Sequence, residues 1–325
     1  MTRSALVKRW GPWILMAATI GLLVCFLDLR AALDAVDDIE PIAIVVTALL
    51  YLLDRFSMAY KWNVLLRARN CWLSSWAAFR IYLASGFIGY VFPASVGSDT
   101  YRAARLSLCG CSVSRVSATI VLERVLGLLA ILSLSAIGLR LVVAGGRDDL
   151  LPVLGAVLGA LFVGAVLTVM SVSERLYGVF RRVTDGFASH RIAHRIVQIL
   201  HALHDEYVAL SRGGRSLLLF FVLSVLNQLI QALMVVPVLL SLDANVDLLA
   251  VFALMPLSKA FIQVMPVPAG IGVAEGAVVV ALSLANVPPA QALAVALVLR
   301  AVDLSMLLPA GVAYAADAWQ MRKTA

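Results

Sequence analysis

The stretch Met265–Gly276, MPVPAGIGVAEG, decides how the rest of the chain is arranged. It places two prolines and three glycines inside an apolar tract, with a carboxylate, Glu275, near its end. Proline removes a backbone donor and glycine weakens a helix, so we expect no continuous helix to pass through it. In a membrane, such a broken backbone must be buried in protein or face a water-filled cavity. A broken helix that carries an acid is typical of a transporter site.

The same pattern occurs earlier in the chain. Pro93–Gly97, PASVG, matches Pro268–Gly272, PAGIG, at a displacement of 175 positions. An acid follows each copy, Asp99 in the first and Glu275 in the second. The pattern therefore predicts that the backbone is interrupted twice, in two related places.

A second match lies in the helix that follows each break. Val121–Leu126 aligns with Leu297–Val302 at a displacement of 176, which puts Arg124 and Arg300 in matching places. Two linked matches at nearly one displacement predict an internal duplication. The alternative is a coincidence of proline, alanine and glycine, which are common in membrane helices.

Composition indicates the class of protein. Of the 325 residues, 62% are hydrophobic and 14% are charged, and the mean hydropathy is +0.97. A soluble domain has roughly half apolar and about a quarter charged residues, whereas apolar runs that approach ~20 residues can span a bilayer. We therefore expect an all-α, polytopic helical membrane protein. The basic residues lie between the spans, so no nucleic-acid partner is expected.

Charge placement predicts the topology. The N-terminus and the C-terminus are both basic and are expected in the cytoplasm. We expect a multi-pass protein, and the hypothesis below places it in the bacterial inner membrane. Six full spans and two re-entrant hairpins are predicted. The spans lie at about 10–27, 41–60, 116–141, 151–170, 216–240 and 290–316, and the hairpins run from 71 to 92 and from 248 to 264 up to their breaks.

The predicted halves are 1–146 and 147–325, each with three spans and one hairpin. An odd number of crossings inverts the second half relative to the first, and inverted repeats with broken helices are a secondary-transporter architecture.

The segment 174–215 is the only long polar one, with seven arginines against four acids. It is expected to be a cytoplasmic amphipathic helix. All four histidines lie on its polar face, where His190 and His194 could ligate a metal or sense pH. The simpler interpretation is the wet side of a helix lying on anionic lipid.

Neither a cofactor nor a metal is expected. No Gly-rich nucleotide loop is present. The four cysteines show no disulfide framework, and Cys109 and Cys111 lack companion metal ligands. If the protein transports a substrate, the energy for transport would then come from an ion gradient or from lipid mass action.

Ionisable side chains inside the predicted spans form the candidate site, because burying them is costly. Guanidinium is a forked donor that stays charged, and half-helix N-termini add positive ends, so both suit a phosphate. The predicted headgroup ligands are Arg124, Arg300 and Arg102. The predicted charge partners or proton carriers are Glu123, Glu275, Asp303 and Asp99, and the backbone breaks are Pro93, Gly97, Pro268, Gly270 and Gly272.

A structural alternative stays open: arginines and acids neutralise one another and lock the helices together. For Arg80, Asp54, Arg55 and Lys259 this interpretation, or snorkelling near an interface, is preferred.

At these residues the chain resembles the lysylphosphatidylglycerol synthase transmembrane family, also called flippase-like membrane proteins. The resembling parts are Phe92-Pro93, Gly97–Arg102, Glu123-Arg124, Pro268–Gly272, Glu275-Gly276 and Arg300. The resemblance implies a region that flips aminoacylated phosphatidylglycerol, which a separate soluble domain makes. Because the chain stops at Ala325, we expect a stand-alone member and do not transfer the synthase activity.

The leading hypothesis is a lipid translocase rather than an enzyme. It would move an anionic phospholipid or lipid-linked glycan, with a lipid-synthesis enzyme or glycosyltransferase as a possible partner. One alternative is a membrane enzyme that modifies lipids or glycans, with Glu275 or Glu123 as general base. Another is a scaffold that docks a lipid-synthesis enzyme through 174–215.

Overall fold

The computed structural model describes residues 21, 28–91, 96–172, 178, 201, 204–210, 212–244, 246–264 and 270–324. Over these ranges the regular structure is helical. The α-helices are α1 (Leu29–Asp37), α2 (Pro41–Ala68), α3 (Ser75–Val91), α4 (Val96–Ser107), α5 (Val113–Ala144), α6 (Leu151–Val172), α7 (Gly214–Leu233), α8 (Val236–Ser241), α9 (Leu248–Val264), α10 (Val273–Leu284), α11 (Pro289–Ser305) and α12 (Leu307–Thr324).

Five helical stretches of the described chain are long and apolar enough to cross a membrane. They are Pro41–Ala68, Val113–Ala144, Asp148–Ser171, Gly214–Ser241 and Pro289–Trp319. Each coincides with a predicted span, so the all-α, polytopic membrane fold is confirmed. The first predicted span, at about 10–27, lies outside the described residues apart from Gly21.

Two of these stretches are jointed rather than continuous. α7 ends at Leu233, and α8 restarts with Pro237 in its first turn. α11 ends at Ser305, and α12 begins at Leu307 with Pro309 close behind. A proline lacks the N–H that would continue the helical ladder, which favours a joint at these places.

Both predicted hairpins have two helical arms that pack against each other, α3 on α4 and α9 on α10. The helix predicted at 248–264 is α9. The sequence predicts that Ser98 caps a helix starting at Asp99, and this is wrong: α4 begins at Val96. Gly97 and Ser98 therefore lie in its first turn, where Asp99 can favour the positive helix end. Pro93 and Pro268 lie outside the described residues.

The second break owes its shape to two glycines with left-handed backbone. Gly270 has φ +63° and Gly272 has φ +81°. Side chains with a Cβ rarely adopt such values, so glycine is required at both positions. Gly272 then caps the N-terminus of α10, which begins at Val273.

The two hairpins exchange their packing partners. The first arm α9 packs along α5, and the first arm α3 packs along α12. Each arm thus lies on the span that follows the other hairpin, as expected for two related halves. α5 and α9 approach closely at Gly138, where an added Cβ would lie 2.7 Å from the Ala253 Cβ. α2 and α7 pair in the middle.

Sequence inspection finds no disulfide framework, and this is corrected for one pair. Cys71 and Cys111 are bonded, with a Cα–Cα distance of 5.9 Å. The two residues are 40 positions apart, and the first hairpin brings them together by running out and back between them. Cys109 is a free, exposed thiol.

Most of the predicted amphipathic segment 174–215, including His190 and His194, lies outside the described residues. Its described part at 204–210 is helical, and the apolar side chains Tyr207 and Leu210 are buried there. They pack against Leu65, Ala118, Leu122 and Phe220 of α2, α5 and α7.

Candidate functional site

Two adjacent cavities lie beside the hairpins. The main chamber has a volume of ≈ 340 Å³ and is bounded by α2, α3, α4, α5, α9, α11 and α12. The side chamber, of ≈ 170 Å³, lies between α2, α7, α9, α10 and α11. Both chambers share the side chains of Tyr51, Arg55, Ile262 and Asp303. The two chambers therefore adjoin, and together they are called the compartment and its two lobes.

Each lobe contains an arginine paired with an acid from the start of a hairpin's second arm. Arg124 of α5 donates from Nε to Asp99 at 3.2 Å. Arg300 of α11 pairs with Glu275 of α10. The partners are 25 residues apart in both cases. The arrangement found in the first hairpin thus recurs at the same spacing in the second.

The first hairpin adds a deeply buried second arginine. Arg102, which is 5% exposed, donates to Asp99 at 2.7 Å and to Glu123 at 2.8 Å. Its guanidinium also lies 5.0 Å from the ring centres of Trp62 and Tyr82, a distance that suits cation–π attraction. Arg102 is therefore held from several sides.

The second hairpin holds its acid with backbone. Glu275 accepts the Gly272 N–H at 2.7 Å, which is the half of a capping box that a glycine N-cap allows at the start of α10. Arg300 also donates to the Gly270 carbonyl at 3.4 Å and lies 3.6 Å from Asp303, three residues further along α11. One guanidinium thus contacts two carboxylates and the broken backbone.

Asp303 stands where the two lobes meet. The hydroxyls of Tyr51 on α2 and Tyr90 on α3 both donate to its carboxylate. Asp303 lines both chambers. It therefore connects the central helix α2, the first hairpin and the span that follows the second hairpin.

With this geometry in place, the comparison with protein families is informative. Residues 13–311 match the family described as the lysylphosphatidylglycerol synthase TM region. The chain belongs to this family. No curated protein and no solved structure matches the chain.

The predicted residues of this lysylphosphatidylglycerol synthase TM region are largely brought together. Arg102, Arg124, Gly270 and Asp303 line the main chamber, and Glu275, Arg300 and Asp303 line the side chamber. Asp99 and Glu123 hold the arginines of the first hairpin. Gly97 is buried in the first turn of α4.

Two site residues carry charges that sequence reasoning assigned to packing or snorkelling. Arg55 lines both lobes and pairs with Asp54, whose Oδ2 lies 2.6 Å from the Arg55 Nη2. Asp54 is fully buried and also accepts the side-chain amide of Asn227 at 2.7 Å. Lys259 lines the side lobe. For Asp54 and Arg55 the sequence signal is an adjacent acid and base in the middle of an apolar span.

The tyrosines at the lobe junction had no comparable signal, because aromatic residues are ordinary in membrane spans. Their role appears only when α2 and α3 place Tyr51 and Tyr90 on one carboxylate.

Charged side chains of both signs surround the compartment. Five cations line it, Arg55, Arg102, Arg124, Lys259 and Arg300. Five acids lie on or against its wall, Asp54, Asp99, Glu123, Glu275 and Asp303. Within the described ranges no group of three His, Cys, Asp or Glu side chains is placed to hold a metal. The arrangement is suited to exchanging ion pairs with an anionic ligand.

Proposed function

We propose that this protein is a lipid translocase that moves an anionic phospholipid or lipid-linked glycan across the bacterial inner membrane, with both termini in the cytoplasm. The observation that carries the proposal is the pair of matched arginines, Arg124 and Arg300, one at each lobe of a compartment beside two broken-helix hairpins. Membership of a lipid-related membrane family supports it.

Each arginine can turn to a phosphate while the acid that it leaves keeps a second hydrogen-bond donor. If Arg124 releases Asp99, that acid keeps Arg102 at 2.7 Å. If Arg300 releases Glu275, that acid keeps the Gly272 N–H at 2.7 Å. Since an unpaired buried charge is what makes such exchanges costly, the second partner of each acid lowers the cost of binding a headgroup.

The two arginines also differ in availability. The Arg124 side chain is 36% exposed, whereas that of Arg300 is 13% exposed. We therefore assign first contact with the headgroup to Arg124 and the deeper position to Arg300. Movement of the lipid between them would require α3 and α9 to shift, since both first arms line the main chamber.

The proposal is tested by reconstitution. Purified protein in vesicles of phosphatidylethanolamine and phosphatidylglycerol is assayed with a headgroup-accessible fluorescent phosphatidylglycerol and a membrane-impermeant quencher. We expect Arg124→Gln and Arg300→Gln each to slow translocation roughly 10- to 100-fold, because each removes a charged hydrogen bond worth about 1.5–3 kcal/mol.

The matched control is Arg147→Gln. Arg147 pairs with Asp149 at 2.8 Å in an exposed turn away from both lobes, so its loss should leave the rate within about twofold. Wild-type vesicles that translocate no faster than protein-free vesicles, or equal rates in all four proteins, would defeat the proposal.

A further inference from the structure

The second hairpin has more acid than arginine. Arg300 pairs with Glu275 and lies 3.6 Å from Asp303, so one guanidinium faces two carboxylates. In the first hairpin, Arg102 and Arg124 face Asp99 and Glu123, which is two against two. A carboxylate without a full counter-charge in a low-dielectric site favours its neutral, protonated form. Arg55 and Lys259 also line this lobe, but within the described residues Arg300 is the cation in salt-bridge contact with Asp303. Because Arg300 is shared with Glu275, Asp303 has the weaker hold on this counter-charge.

Asp303 is the acid of this pair whose closest donors are neutral. Glu275 is fixed by the Gly272 N–H and by the nearer contact with Arg300. The closest donors to Asp303 are two neutral hydroxyls, those of Tyr51 and Tyr90. The titratable and charged groups that line or adjoin the chambers with it are Tyr51, Asp54 and Arg55 of α2, Tyr82 and Tyr90 of α3, Arg102 of α4, Arg124 of α5, Lys259 of α9, Glu275 of α10 and Arg300 of α11.

A polar seam along α7 reaches the lobe that Asp303 lines. Ser224, Asn227, Gln228 and Gln231 share one buried face at helical spacing. The Ser224 Oγ, Gln228 Oε1 and Gln231 Oε1 have no hydrogen-bond partner among the described residues. Buried polar atoms of this kind are ordinarily satisfied by water. Gln231 lines the side lobe, so the seam ends at this lobe.

The seam continues toward the end of α2 that is predicted to face the cytoplasm. The Asn227 Oδ1 accepts a hydrogen bond from the Lys61 ammonium at 3.4 Å, and the Asn227 Nδ2 donates to the Asp54 carboxylate at 2.7 Å. Lys61 is 2% exposed. Protonatable and hydrogen-bonding groups therefore connect that end of the bundle to the junction of the lobes.

We propose that Asp303 is a proton-binding carboxyl whose protonation is coupled to binding of an anionic headgroup at Arg300. When the phosphate takes the Arg300 guanidinium, Asp303 loses its nearest cation and gains an anionic neighbour. Both changes favour addition of one proton to its carboxylate oxygen from water in the side lobe. By linkage, protonated Asp303 strengthens headgroup binding by the same factor.

Lipid movement in one direction is then accompanied by a proton, so a pH difference drives it. This coupling to transport depends on the proposed translocase function. Proton uptake on anion binding does not, and can be measured separately.

The binding arm uses the full-length protein in detergent. Glycerol phosphate is added in weak buffer with a pH indicator, near the pH at which uptake is largest. We expect wild type to take up protons on binding, and Asp303→Asn to take up less than about a tenth as much, because an amide cannot bind the proton. Lys259→Gln, which removes the amine of the side lobe, should keep the uptake.

The transport arm uses the same phosphatidylglycerol vesicles with and without a difference of about one pH unit across the membrane. We expect the gradient to accelerate wild-type translocation several-fold, toward a ceiling of about tenfold per unit for one proton. Asp303→Asn should give one rate under both conditions. Gln231→Leu, which interrupts the seam, should give a smaller acceleration by the gradient than wild type.

The outcomes separate the two proposals. Absence of translocation by wild type under any condition would overturn the translocase function alone, whereas proton uptake with glycerol phosphate would still support the role of Asp303. Equal uptake by wild type and Asp303→Asn, or no uptake by either, would overturn the proton inference. A gradient effect that persists in Asp303→Asn would also overturn it.

Discussion

Each hairpin contributes the acid of an equivalent acid–arginine ion pair, but the groups that surround the pair differ between the two hairpins. Asp99–Arg124 and Glu275–Arg300 occupy matching places with the same separation of 25 residues. Behind the first pair lies Arg102, bonded to Asp99 and Glu123 and almost inaccessible. The positions that match Arg102 and Glu123 at a displacement of 176 are Val278 and Leu299, which cannot repeat that contact.

The second pair has instead what the first lacks. Asp303 matches Gly127, so the first half has no acid at the corresponding place. The backbone of the second break, through Gly270 and Gly272, contacts its ion pair directly. This contrast indicates a division of roles: the first hairpin is locked by buried charge, and the second is able to exchange partners.

The largest expected effect on this contrast comes from removing the Glu123 carboxylate that pairs with buried Arg102. Glu123→Leu should lower the free energy of unfolding by about 3–5 kcal/mol, because removing one partner leaves buried Arg102 undercompensated. Adding Arg102→Val copies the pattern of the second hairpin, and replacing a whole buried pair with apolar groups is often close to neutral. The double variant should therefore recover most of the loss, measured by detergent titration in mixed micelles. A double variant less stable than the single one would contradict the locked-pair interpretation.

The disulfide gives a second contrast, since it closes only the first hairpin. Cys71 and Cys111 precede and follow its two arms, whereas the chain from 248 to 284 contains no cysteine. Cys71→Ser should cost about 2–4 kcal/mol by releasing a 40-residue loop in the unfolded chain. Cys109→Ser, at the exposed free thiol, should cost nothing measurable. Equal stability of the two variants, with the wild-type disulfide verified by thiol counting, would show that the disulfide does not stabilise the first hairpin.

Sequence patterns predict this fold well where a single helix or break decides the outcome. Length and hydropathy predict the spans, and the run of proline and glycine predicts where α9 ends and α10 begins. The repeat also matches Arg124 with Arg300. These are local signals or comparisons within the chain, so they do not require tertiary structure.

Sequence reasoning fails where a partner comes from another helix. Adjacent residues on a helix cannot face each other, so the sequence predicts separate partners for Glu123 and Arg124. No sequence signal identifies Arg102 as the partner of Glu123 or Asp99 as the partner of Arg124. Tyr90 meets Asp303 across 213 positions. Likewise, Cys71 and Cys111 become neighbours only because the first hairpin returns to its starting point.

The backbone at the second break offers a smaller test of the contrast. Gly272→Ala should destabilise by about 1–2 kcal/mol, because φ of +81° is unfavourable for any residue with a Cβ. The control is Gly86→Ala in α3, where an added Cβ has nothing within 4 Å. It should be neutral or stabilise by up to about 1 kcal/mol, as alanine favours helix. If both substitutions had the same sign in detergent titration, the left-handed cap would not be a source of strain.

The smallest expected effect concerns the turn that secures the second hairpin from outside. Arg147 donates to the Leu284 carbonyl at the end of α10 at 2.9 Å and to Asp149. The hydrogen bond from Arg147 holds the pKa of the exposed Asp149 carboxyl below its ordinary value. Because that pKa is lowered in the folded state, its stabilisation is complete above the ordinary aspartate value and is lost as the pH falls through the folded value.

Asp149→Asn should therefore lower the unfolding temperature slightly at neutral pH and not at all in acid or at about 1 M salt, where surface pairs are screened. Arg147→Ala should lower it more, because it also removes the bond to α10. Thermal unfolding monitored by intrinsic fluorescence resolves the two variants. An effect of Asp149→Asn equal to that of Arg147→Ala would mean that the salt bridge, and not the link to Leu284, secures the second hairpin. The turn would then act on its own charge alone, and the second hairpin would have no external counterpart to the disulfide of the first.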